Sequence, residues 1–158
     1  MMNKNNATFE EMKRIGREWE EKRAAHQARK QEIIDTCGWD SEELKAWYAE
    51  KEAMKFPFPT GAQKAYRAWA QSIARQEDEV EMEDSCWENE WHDFIETLRN
   101  AGVETFVTTC KSTGLMEDLH GYAKEGCTML GLCTITKKEK RWGEETEEQI
   151  MGIRFSLN

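Results

Sequence analysis

The stretch FVTTCKSTGLMEDLHGYAKEGC, Phe106 to Cys127, sets a cysteine where an apolar, β-type run gives way to a helical pattern. Cys110 followed by Lys111, Ser112 and Thr113 has the parts of a nucleophile or an anion cradle. A helix dipole and a lysine favour a thiolate, and free N–H groups at a helix start face an anion. Neither familiar phosphate motif is complete. A cysteine phosphatase needs an arginine where Met116 stands, and Lys111-Ser112 has the P-loop dipeptide without its glycines. The plainer reading is a cap by Ser112 or Thr113 beside a half-buried thiol. Cys110 is therefore the one catalytic candidate, with Lys111, Ser112 and Thr113 as the ligand-binding candidates.

Other chemistry is harder to assemble. His92, His120 and the cysteines at 110, 127 and 133 form no CxxC or HxxxH pair, so neither a metal nor a cofactor is expected. Glu117 and Asp118 are neighbours on a helix and point apart, and no acid reads as isolated in an apolar pocket. No general acid or base is assigned.

Two stretches suit contact with another protein. EDEVEMED, Glu77 to Asp84, has six acids among eight residues and reads as an exposed linker or frayed helix end, with Glu77, Asp78, Glu79 and Glu81 offered to a basic partner. KKEKRWGEETEE, from Lys137, sets four basic residues before Trp142 and four acids after it. In a hairpin the two halves would oppose one another as ion pairs, leaving Arg141 and Trp142, residue types favoured at interface centres, as a contact loop.

The elements that position these residues follow from spacing. Four possible capping boxes, Thr8 with Glu11, Asp40 with Glu43, Thr60 with Gln63 and Ser85 with Glu88, each open a helical pattern. The helices expected are 8–36, 41–55, one from Thr60 carrying Tyr66, Trp69 and Ile73, and one from Ser85 to Asn100 carrying Trp87, Trp91, Phe94, Ile95 and Leu98. From Val103 the period changes: VETFVTT is a strand, 112–124 a helix, CTMLGLCTIT a second strand and 149–157 an alternating third, expected at an edge. The fold class expected is α+β: N-terminal helices over 1–84, then an αβαββ domain over 85–158 packed with them as one unit. Its small mixed sheet has three strands in the order first, second, third, the first two forming a parallel pair.

Composition narrows the classes of function. The chain has 158 residues and a net charge of −9, with 14 basic and 18 acidic residues through Asp84 and 8 and 13 after it. Neither half carries the basic excess that phosphate neutralisation requires, so direct nucleic-acid binding is disfavoured. Five cysteines, an odd number set mostly among apolar residues, suit reduced thiols in a cytoplasm. No apolar run is long enough to span a bilayer, and MMNKNNATFEEMKR lacks the apolar core of a signal peptide, so membrane association is not expected.

The run FIETLRNAGVETFVTTCKSTGLMEDLHGYAKEGCTMLGLCTITKKEKRWGEE, with GIRFSLN after it, resembles small uncharacterised accessory proteins of conjugative and phage-like elements of gut Firmicutes. The likeness covers the C-terminal half only. It implies a cytoplasmic accessory protein of a mobile element and brings no catalytic residues. The function expected is protein–protein interaction, including acidic inhibition of a host defence nuclease. The alternative is a small enzyme or anion-binding protein working at the Cys110–Thr113 junction.

Overall fold

The computed structural model describes residues 2–158 and divides the chain into two compact units, Met1–Phe9 with Phe58–Asn158, and Glu10–Pro57. Helix α1 (Ala7–Cys37) supplies residues to both, and α2 (Glu42–Ala53) completes the smaller one. In that smaller unit Gly38, at φ +90, follows the end of α1, and the Ser41 hydroxyl caps α2 by accepting from the Leu44 N–H. Trp47 holds the two helices together: it is fully buried, stacks on the His26 ring at 4.6 Å and donates its indole N–H to the His26 carbonyl at 2.7 Å.

The larger unit runs α3 (Thr60–Ala74), β1 (Val80–Met82), α4 (Trp91–Asn100), β2 (Thr105–Thr108), α5 (Leu115–Lys124), β3 (Thr128–Arg141) and β4 (Glu144–Ser156). The fold is mixed α and β, as expected, but the sheet has four strands in the order β1-β2-β4-β3. The parallel pair is β1 with β2, joined across α4, while β2 and β3 each pair antiparallel with β4. The expected parallel neighbour of β2 is therefore displaced. The long β3–β4 hairpin forms as a local unit, and β4, with Phe155 and Leu157 buried, takes the place beside β2. β4 is consequently interior, and β3 is the edge.

The core lies between the sheet and helices α4 and α5. Phe94, Phe106, Tyr122 and Phe155 form one aromatic cluster with ring centroids 5.2–5.8 Å apart, all fully buried. Helix α5 can approach closely because residue 121 is glycine: a Cβ there would overlap the Trp91 ring. Helix α3 buries its small face, Gly61, Ala62, Ala65, Ala68 and Ser72, along with Trp69, which stacks on Phe9 at 4.8 Å.

The acidic run is neither linker nor frayed helix. Val80 and Met82 face the core and Glu81 is as buried as they are, and residue 84 lies within the larger unit. Ser72 of α3 accepts the Glu81 N–H at 2.9 Å, which closes the outer edge of β1. None of the four capping boxes forms as drawn. Asn6, not Thr8, accepts the Phe9 N–H; Ser41 stands where Asp40 was expected; Pro59 precedes α3; and Ser85 bonds to Asp118 instead. The fourth helix accordingly starts at Trp91, and Trp87 lies outside it, exposed.

Candidate interaction surface and buried carboxyl sites

The β3–β4 hairpin is the largest departure from a closed domain. Thirteen β3 residues pair with β4, from Thr128 opposite Ser156 to Arg141 opposite Glu144, with one irregularity between Met129 and Gly131. Opposite charges stand in register along the distal half, as the composition of KKEKRWGEETEE predicts. Lys138 lies 3.8 Å from Glu147 and Lys140 3.9 Å from Glu145, both exposed pairs of small individual worth.

The two-residue turn is Trp142-Gly143, at φ +53 and φ +82. Positive φ at both central residues is the type I′ pattern, whose natural first residue is Asn or Asp because a bulky side chain is strained there. Trp142 nonetheless occupies it, with its side chain 102% exposed. Arg141 beside it is exposed and pairs with Glu139 at 3.0 Å. On one face of the hairpin, nearer the core, Met129, Leu132 and Met151 are also at least half exposed. Several large apolar side chains on one extended element form a surface that folding leaves uncovered.

The cysteine junction has a different character. Cys110 lies just past β2, 5% exposed, its sulfur 3.0 Å from the Ser112 hydroxyl. Ser112 also accepts the Gly114 N–H, while Lys111 and Thr113 are exposed. Because α5 opens at Leu115 behind Gly114, with no side-chain cap, Cys110 stands outside the helix's first turn, where the dipole's influence fades. The expected cap by Ser112 or Thr113 is absent, and the four residues make a local turn around a buried thiol.

Two acidic sites went unread in the sequence. Asp118 is wholly buried and accepts from the Ser85 hydroxyl at 2.6 Å, the Cys86 N–H at 3.1 Å and the Trp91 indole at 3.2 Å, anchoring the 85–91 loop to α5. Beside it, burial and then the neighbouring Cys86 and Asp118 push the Tyr122 hydroxyl upward, and burial pushes the Cys86 thiol up to about 12. The second site is the acidic run itself. Glu77 and Glu81 are 5% and 3% exposed, so they do not form the solvent-facing acidic patch expected of them. Glu79 is held by Arg154 and the Thr105 hydroxyl, and Asp78 is exposed.

Burial, the neighbouring Glu81 carboxylate and its hydrogen bond push the Glu77 carboxyl up to about 8. At Glu81 burial also acts upward, but hydrogen bonds from Glu77 and Thr109 and the charges of Lys137 and Arg75 outweigh it and hold that carboxyl below its ordinary value. One proton is thus shared unequally: Glu77 carries it at neutral pH and Glu81 is ionised. The signal for this arrangement was present, since Glu79-Val80-Glu81-Met82 alternates with the period of a strand.

A family model described as a domain of unknown function, DUF7698, matches residues 64–157. The chain belongs to the DUF7698 family. The matched segment of this DUF7698 chain takes in most of α3 and every strand, so the hairpin, the Asp118 anchor and the carboxyl pair all lie within it. No curated protein and no solved structure matches the chain.

Among the described residues no helix is long and apolar enough to cross a membrane, and no group of three or more His, Cys, Asp or Glu is placed to hold a metal ion.

Proposed function

We propose that this protein works by binding another protein, with the tip of the β3–β4 hairpin as the contact. The observation that carries the reading is Trp142: the chain holds its largest side chain type at a left-handed turn position, at a conformational cost of about 1–2 kcal/mol, and gains no packing in return. A residue that opposes folding and contributes nothing to the core is explained by what it touches outside the chain, and tryptophan and arginine are the types that dominate binding energy. The resemblance to accessory proteins of mobile elements favours a host or element-encoded protein as the partner, a defence nuclease included, and all five cysteines being free accords with a cytoplasmic setting. An enzyme built on Cys110 is the weaker reading, since that thiol is buried and already bonded to Ser112.

The test is Trp142→Asn, which installs the residue this turn prefers. It should leave the fold intact, with a thermal midpoint equal to or above wild type, and it should lose a partner that wild-type protein captures from host lysate and then binds as purified components. Equal binding by the two proteins would refute the reading.

A further inference from the structure

The carboxyl pair lies against a cleft of about 500 Å³ on the face of the sheet opposite the aromatic core. Glu77, Glu81, Thr134, Thr136 and Arg154 are among the residues that line it. Both oxygens of Glu77 and Oε2 of Glu81 are buried without a hydrogen-bond donor. The one proton the two acids share serves a single bond between them, so a Glu77 oxygen is still left without a donor, and a buried acceptor in that state calls for one the chain does not supply.

The surrounding charges say what kind. Glu81 has Arg75 at 3.6 Å and Lys137 at 3.5 Å, and Glu83 pairs with both of these cations. Two cations therefore face three carboxyls, and the cluster is neutral only while Glu77 keeps its proton. Glu79 and Arg154 cancel each other across the cleft, and Asp78 and Lys138, which also line it, carry opposite charges. An added anion has no place here, and with no set of three ligands a metal ion is poorly served. A single organic cation rich in N–H groups meets the hydrogen-bond deficit and balances the charge left when Glu77 gives up its proton.

We propose that this cleft receives the guanidinium or ammonium head of one arginine or lysine side chain, donated by the partner protein, with Glu77 and Glu81 accepting its N–H groups. The inference rests on the interaction reading above and gives it a second contact. On binding, the cation takes the place of the Glu77 proton, which passes to the buffer, so affinity rises with pH below the point at which Glu77 loses that proton by itself.

Isothermal titration calorimetry of the full chain near neutral pH, in two buffers of different ionisation heat, tests this with Nα-acetyl-argininamide and Nα-acetyl-lysinamide as side-chain probes. The expected result is binding of acetyl-argininamide with release of about one proton, weakened at least about tenfold by Glu77→Gln, which keeps the shape of the protonated acid. Ile135→Trp, on the face of β3 that shares the cleft with Arg154 and Lys137, should abolish the binding without altering either carboxyl. No heat with either probe at millimolar concentration, or equal affinity in Glu77→Gln, would overturn the proposal. Trp142→Asn separates the two ideas: it should bind acetyl-argininamide as wild type does while losing the partner, so cleft binding with partner capture retained sinks the hairpin reading alone.

Discussion

Replacing Asp118 with alanine should destabilise the protein by about 3 kcal/mol, because donors from Ser85, Cys86 and Trp91 lose their common acceptor where water does not reach. Urea unfolding followed by tryptophan fluorescence reads this directly; a loss under about 1 kcal/mol would mean the 85–91 loop finds other acceptors. In sequence Asp118 is indistinguishable from Glu117, its neighbour on the same helix, and only the fold separates them: Glu117 is exposed and Asp118 is not. The same holds for Ser85. Its spacing to Glu88 suits a capping box, yet its hydroxyl bonds to a residue far along the chain, since a buried carboxylate is a stronger acceptor than any the local turn offers.

At the scale of elements, the hairpin was partly readable. Its basic and acidic halves announced a turn, but the strands expected from the sequence stop at Thr136 and resume at Gln149, because charge runs usually mark loops. Cross-strand register turns those charges into a paired ladder instead. Leu132 and Met151, exposed at 76% and 69%, serve no packing within the hairpin. Leu132→Lys with Met151→Lys should therefore change stability by no more than about 0.5 kcal/mol in denaturant unfolding, while weakening capture of the partner if the contact extends from the tip to this face. A loss of several kcal/mol would show that these side chains are covered within the protein.

For the molecule as a whole, the buried pair writes a signature into stability against pH. Glu77 binds its proton more tightly folded than unfolded, so between its ordinary value of 4.5 and about 8 the native state holds more protons, and its contribution to stability falls as pH rises through that window. Glu81 is shifted the other way, and its contribution is lost only as pH falls below 4.5. Thermal midpoints measured from pH 5 to 8 should decline more steeply for wild type than for Glu77→Gln. Parallel slopes would show that the two carboxyls do not share a proton.

Helix positions, the switch to strand period after Gly102 and the charge-segregated hairpin were determined by the sequence itself, because each depends on residues within a few positions of one another. Strand order and the fate of the acids depended on partners brought from far along the chain. β4 stands between β2 and β3 because it pairs with both and its end buries Phe155 in the aromatic core, and Glu81 could enter the interior only because Thr109, Lys137 and Arg75 converge on it from three other segments. A carboxylate's burial is decided by the donors that surround it, and local spacing carries no record of them.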